Sequence, residues 1–366
     1  MKLSINSHPL RAFLFMFVND AVLRRGFALA IRGSLGLLLL LGLGCAGGNL
    51  GTSPILVKRT QMHMGTWVSI TAVAPDREAA QYAASAGFQE IHRLEELLST
   101  WIKDSELSRV NGAAGKEAVA VSPDTMKVLQ ASVAMARLTG GGFNILVGPA
   151  VEAWSVLDRQ QIPSESELEN IRPLTNLNAL QLSQAQGTVY LAKPGMRVDV
   201  GGIGKGFAAD MAVEAMQKAG ATAGVVALSG DIRTFGQMPD GTTFPFGIRH
   251  PRREGTVLAF VDLQNEAIST AGDYERYFER DGVRYHHVLD PVTLQPARDC
   301  QSVTIVAKDG LTADGLDTGI FVMGPERGLA LVESLPGVGA VIVDRDGKVW
   351  VSSSLKGRVR IKDGVD

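Results

Sequence analysis

Cysteine is scarce: Cys45 and Cys300 are the only two in 366 residues. Two thiols cannot build a disulfide framework, and no His/Cys cluster supports zinc. No Gly-x-Ser-x-Gly stretch is present, so the nucleophile elbow of a serine hydrolase is excluded. There is no internal repeat at solenoid periods, and the composition, with an apolar fraction of 45%, argues against disorder or a fibrous repeat. Long apolar runs are also wanting. The most apolar segment, GSLGLLLLLGLG (Gly33 to Gly44), is too short to span a bilayer.

What is present at the N-terminus reads as a leader. Arg24, Arg25 and Arg32 precede the apolar run, and Cys45 follows it at once, then Ala46-Gly47-Gly48-Asn49. A basic region, a short apolar region and a Cys at the cut site describe a bacterial lipoprotein signal, with Cys45 the acylated first residue of the mature chain. Gly42 stands where Leu is usual, three before the Cys, and ordinary cleavage beside a chance Cys is the plainer alternative. Arg24-Arg25-Gly26-Phe27 also resembles a twin-arginine signal. The expected divisions are 1–44 signal peptide, 45–60 flexible tether, 61–353 globular domain and 354–366 C-terminal tail. The expected location is the periplasmic side of the inner membrane, by lipid anchor. Removing 1–44 takes five basic residues and one acidic residue, leaving 31 basic against 37 acidic. An acidic mature chain carries no nucleic-acid footprint.

Along the domain, Thr66 to Val73 alternates as a strand. Asp76 caps a helix whose inner face is Ala84, Phe88, Ile91, Leu94 and Leu98. A second helix opens at Ser122-Pro123 and stops at Gly140-Gly141-Gly142. A short acidic helix is expected over 163–172, and strands near 178–182, 188–192 and 196–200. A helix follows over 204–219, then strands near 223–229, 245–250, 256–263 and 302–307. Helices near 312–323 and 325–334 precede a hairpin that turns at Asp344-Arg345-Asp346-Gly347. Regular βαβ alternation is missing, which favours an α+β fold with largely antiparallel sheet over a doubly wound one.

Three stretches can carry chemistry. In Asp199-Val200-Gly201-Gly202-Ile203-Gly204-Lys205-Gly206, glycines at a helix start expose backbone N–H groups to an anion, and Lys205 adds charge. The spacing fits neither a Walker A nor a Rossmann loop: Asp199 and Gly206 occupy the positions the first needs for Gly and Ser/Thr, and Phe207 breaks the second. A tight turn with no ligand remains the alternative. In Thr312-Ala313-Asp314-Gly315-Leu316-Asp317-Thr318, helical spacing puts Asp314, Asp317 and Thr318 on one side, as hard oxygen ligands suited to Mg²⁺. A capped helix with acidic residues in its first turns reads the same way. Third come Ser269 to Tyr274 and Tyr285-His286-His287-Val288-Leu289-Asp290-Pro291. Neighbouring His on a strand face opposite ways, so at most one of the pair serves a given site.

Taken together, these stretches resemble the ApbE family, the FAD:protein FMN transferases. Met64-Gly65-Thr66, Ser99 to Asn111 and Phe143 to Pro149 add to the likeness, which runs from Gln61 to Val351. The resemblance implies an ApbE/T-fold-like architecture with FAD in a central cleft. It implies Mg²⁺ as cofactor, and transfer of the FMN half of FAD to a Thr or Ser hydroxyl of an exported or membrane redox protein, with release of AMP. It places FAD contacts at Met64, Trp101, Gly142-Phe143-Asn144, Asp199, Lys205 and Val288. It places the metal at Asp314, Asp317, Thr318 and a backbone carbonyl near Gly202. Three departures stand out: Trp101 where Tyr is frequent, Asn144 where Asp is usual, and Ser229-Gly230-Asp231 for a more typical Gly-Gly pair. Losing the Asp at 144 removes a charge near the flavin. His287 is the expected general base, with Asp199 or Asp273 as substitutes. A hydrolase splitting FAD with water, and a non-catalytic flavin-binding lipoprotein, are the competing functions.

Overall fold

The computed structural model describes residues 53–362. The expected signal peptide, Cys45 and the first part of the tether lie outside the described residues. An eight-stranded sheet forms the middle of the molecule. Its order is β1 (Ile55–His63), β2 (Thr66–Ala74), β6 (Ala223–Leu228), β7 (Asp231–Phe235), β10 (Ala267–Gly272), β13 (Cys300–Ala307), β14 (Gly339–Asp344) and β15 (Val349–Val351). Every pairing in it is antiparallel. Mixed helices and antiparallel strands are the α+β architecture the sequence predicts.

Among the described residues the helices are α1 (Arg77–Leu98), α2 (Glu106–Gly112), α3 (Pro123–Leu138), α4 (Gly148–Trp154), α5 (Glu165–Ile171), α6 (Gly204–Lys218), α7 (Gly310–Met323) and α8 (Pro325–Glu333); α4 and α5 form a separate small core with Phe278, Leu289 and Leu294. Asp76 caps α1 by accepting from the Ala79 amide, and the predicted stripe from Ala84 to Leu98 is buried. Ser122 and Pro123 open α3 as expected. The main core joins α1, α3, α6 and α7 to the sheet residues Val68, Ile70, Val226, Ile305 and Ile342. The opposite face, with Ile232, Ile268, Val306 and Val341, is covered by a small sheet of β16 (Arg360–Ile361), β9 (Val257–Leu263) and β8 (Phe244–Arg249). Burial on both faces explains β13, in which all eight residues are buried and no polar alternation survives. A three-stranded sheet of β3 (Val119–Ala120), β5 (Thr188–Leu191) and β4 (Leu180–Ser183), and a hairpin of β11 (Tyr277–Arg280) and β12 (Val283–His286), complete the fold.

Three expectations need correction. The tether does not reach residue 60, because β1 begins at Ile55 and pairs with β2 through nine register positions. The C-terminal tail is not free after 353: Leu355 is buried, and Arg360 and Ile361 pair with β9. Residues 196–200 are not a strand. The Val198 amide is taken by the Asn111 side chain at 2.7 Å and the Asp199 amide by the Ile145 carbonyl at 2.7 Å, so no ladder is needed.

Candidate active site

The site begins where α6 crosses α7. A Cβ on Gly206 would lie 2.1 Å from the Gly310 carbonyl oxygen, and one on Gly310 would lie 2.4 Å from that of Gly206. Only glycine at both positions lets the two backbones meet. The crossing is fastened from both sides. Asp210, one turn of α6 beyond Gly206, accepts the Gly310 amide at 2.7 Å and the Leu311 amide at 2.9 Å, capping α7 beside its own N-cap Asp309. In return Asp314 of α7 accepts the Gly206 amide at 2.8 Å. Burial, against these hydrogen bonds, pushes Asp210 up to about 6.

This changes the meaning of the glycine turn. An open cradle of amides was expected there. Instead the Gly201 amide bonds the Asp199 carboxylate at 2.7 Å, those of Ile203 and Gly204 bond the Val200 carbonyl, and that of Gly206 bonds Asp314. The turn therefore supplies position more than free donors. Gly202 has a distinct duty, since a Cβ there would lie 2.9 Å from the Thr318 hydroxyl oxygen.

At the crossing, Asp231, Asp314 and Asp317 are all buried, with donor oxygens within 4.8 Å of one another. Lys205 forms an ion pair with Asp231. The Ser269 hydroxyl on β10 lies within hydrogen-bond distance of both Asp231 and Asp317, the latter at 2.6 Å, and Thr318 donates to Asp317 at 3.1 Å. Burial first, then the charge on Asp231, pushes Asp314 up to about 7. Asp317 is raised well above the ordinary carboxylate range by burial and by Asp314 and Asp231. Burial alone would lower Lys205, but the attraction of the three carboxylates outweighs it and raises the ammonium.

The residues fit a divalent cation. Three buried carboxylates face one ammonium, so two negative charges remain uncompensated when all are ionised. The Ser269 hydroxyl has a single proton for two carboxylates, so one of them must hold a proton or meet a cation. Hard oxygen donors of this kind suit Mg²⁺. Asp231 and Ser269 were not assigned to the site from sequence. The available signal was slight: Asp231 follows a Ser-Gly turn at the start of one strand, and Ser269 stands beside Thr270 in another.

The other expected residues are placed as follows. A Cβ on Gly142 would lie 2.7 Å from the Gly319 carbonyl, so the 142–144 segment packs directly on α7, with Phe143 buried against Gly202 and Gly319. Asn144 accepts the Leu146 amide at 2.9 Å and donates to the Thr175 carbonyl at 2.8 Å. Asp199 is half-buried and Val288 is buried. Met64, with φ of 49°, sits on the β1–β2 turn, its amide held by Glu95 at 2.6 Å. Trp101 is 87% exposed on the loop after α1, an aromatic face free to stack. Neither Met64 nor Trp101 is hydrogen-bonded to the carboxylate cluster.

The two adjacent histidines part as expected. His286 is buried and bonded to the Ala297 carbonyl at 2.7 Å, and burial pushes it down to about 4. His287 is half-buried, with Nδ1 3.3 Å from the Arg276 carbonyl, which leaves Nε2 its lone pair. Burial, then the positive charge of Arg276, His286 and Lys205, pushes it down to about 3. Asp273 is withdrawn from the base role, because both its oxygens are bound by Arg252 at 2.6 Å.

Residues 64–342 match the model of the ApbE family. The chain is 35% identical over 273 residues to a FAD:protein FMN transferase of Vibrio cholerae, covering 73% of this chain and 81% of that one. It is 33% identical over 342 residues to a FAD:protein FMN transferase of Treponema pallidum, covering 89% and 94%. In structure it is similar to the ApbE protein of Thermotoga maritima, with TM-score 0.77, 32% identity, and 84% and 100% of the two chains covered. It is similar also to the flavin transferase ApbE of Vibrio cholerae, with TM-score 0.75 and 30% identity over 83% and 99%.

Proposed function

The chain belongs to the ApbE family, and from that premise we propose that it transfers the FMN half of FAD to a hydroxyl of a target flavoprotein. It is an enzyme, a flavin transferase, with FAD as substrate. The observation that carries the finer reading is the buried trio of Asp231, Asp314 and Asp317 around Lys205. Phosphoryl-type transfer needs positioning and charge neutralisation more than covalent catalysis.

In this reading the acceptor is a Thr or Ser hydroxyl. Its oxygen attacks the FMN-side phosphorus of FAD, the anhydride bond breaks, and AMP leaves with the bridging oxygen. The hydroxyl proton passes to Nε2 of His287. No electrons change hands. Asp314 and Thr318, with Asp317 braced by Ser269, would hold Mg²⁺ beside Gly202. Bound there, the ion supplies charge neutralisation for the pyrophosphate and its transition state. Lys205, beside the cluster and paired with Asp231, would add a positive charge for the same phosphate oxygens. Trp101 and Met64 would border the ring system, and the 142–144 segment, Asp199 and Val288 the rest of the nucleotide. The leader and Cys45 would place the enzyme on the periplasmic side of the inner membrane, beside exported or membrane redox acceptors.

Incubation with FAD, Mg²⁺ and a candidate acceptor tests the reading. Flavin fluorescence that stays with the acceptor through denaturing electrophoresis is the expected result. Free FMN alone would make the protein a hydrolase, and intact FAD would make it a binding protein.

A further inference from the structure

A second group of ligating side chains gathers where β1 meets α1, beside the Met64 turn. His63 ends β1, and His92 and Glu95, three residues apart, share one face of α1. Their donor atoms all lie within 4.8 Å of one another. The separation of 32 residues between His63 and Glu95 hides the cluster in the sequence.

The two ring nitrogens of His63 meet two oxygens, an arrangement that an imidazolium paired with Glu95 or a bound cation satisfies. Nε2 lies 3.1 Å from Gln61 Oε1, and Nδ1 lies 3.3 Å from Glu95 Oε2. Both oxygens are acceptors, and a neutral imidazole has one N–H. With that N–H on Gln61, Nδ1 turns a lone pair toward a carboxylate oxygen. A cation between them removes the opposition. The orienting partners are already in place: Gln61 takes the far N–H of the ring, and the Met64 amide holds the other Glu95 oxygen at 2.6 Å. The His92 side chain is 60% exposed, so an ion has a route in and water has room to complete the coordination.

We propose that His63, His92 and Glu95 form a binding site for a first-row divalent transition-metal ion of the zinc class. Two imidazoles and one carboxylate suit Zn²⁺, Co²⁺ or Ni²⁺ and disfavour Mg²⁺, which prefers oxygen throughout. The ion ties the β1–β2 turn to α1. The proposal stands on these side chains alone and does not depend on the transferase reading.

The test is an optical titration of the untagged full chain with Co²⁺ in excess Mg²⁺, followed by displacement with Zn²⁺. One equivalent of Co²⁺ should give a visible d–d band that Zn²⁺ abolishes. His92→Gln, at an exposed position that leaves the fold intact, should weaken binding about tenfold or more, and Gln61→Ala should weaken it by a comparable factor. Asp314→Asn should leave the titration unchanged. No band in the wild type, an unchanged titration in His92→Gln, or loss of the band in Asp314→Asn would each overturn the proposal.

Discussion

Asn144 shows how a single atom decides the value of a substitution. The family resemblance makes Asp the expected residue there, and the sequence alone treats Asn as a lost charge. In the folded chain its oxygen caps the Leu146 amide and its NH₂ donates to the Thr175 carbonyl. An Asp keeps the cap but sets a carboxylate oxygen against a carbonyl oxygen. Asn144→Asp should therefore destabilise the protein by about 1–2 kcal/mol, seen as a lower midpoint in thermal unfolding. His287 yields a second residue-level expectation. A histidine held neutral down to about 3 keeps its lone pair across the working range, at the cost of being a weaker base than an ordinary imidazole. Protonation, which would silence it, falls below pH 5. At saturating Mg²⁺ the rate profile between pH 5 and 8 should show no acid limb breaking near the ordinary histidine value; such a break, lost in His287→Gln, would show that His287 titrates normally in the working enzyme, and unchanged transfer by His287→Gln would remove it as the base.

At the scale of elements, the α6–α7 crossing explains what the glycine-rich stretch is for. Its failure to match a phosphate loop follows from its use: Gly206, where a Walker loop needs Ser or Thr, is where two backbones touch. Gly206→Ala should cost about 1–3 kcal/mol by overpacking, and transfer should fall further than stability does, because Asp314 is displaced with α7. Comparing chemical denaturation with initial transfer rate separates the two effects. The helices α1 and α3 were legible because their side-chain caps and periodic apolar faces are local signals, and α6 because Gly220 stops it; α7 was legible although its cap, Asp309, was not. Strands β1, β7 and β10 were not. In β1 only Val57 is buried, so an edge strand showed little alternation, and β10 is buried at all but one position. The carboxylates on α7 could be read from their spacing of three. Asp231 could not, because it enters the site by sheet pairing and by Lys205, 26 residues earlier.

Across the whole molecule, the central sheet holds the crossing rigid from below, and the chain ends are more integrated than composition implies. Gly/Ser/Thr/Pro-rich sequence concealed β1, and Leu355 with β16 closes the second face of the sheet. The proposed leader adds a cellular expectation. Cys45→Ser should move the protein from the membrane fraction to the soluble periplasmic fraction, with its transfer rate in detergent unchanged; retention on the membrane would remove the lipid anchor.

At the centre of this account, the Asp231, Asp314 and Asp317 cluster would hold a divalent cation that neutralises a pyrophosphate while a protein hydroxyl displaces AMP. The most direct test is nucleotide accounting by chromatography on FAD, Mg²⁺, acceptor and enzyme. AMP and acceptor-bound flavin should appear one for one, depend on Mg²⁺, and vanish with Asp314→Ala in a variant that retains the wild-type circular dichroism. AMP accompanied by free FMN, or undiminished transfer by Asp314→Ala, would contradict the account.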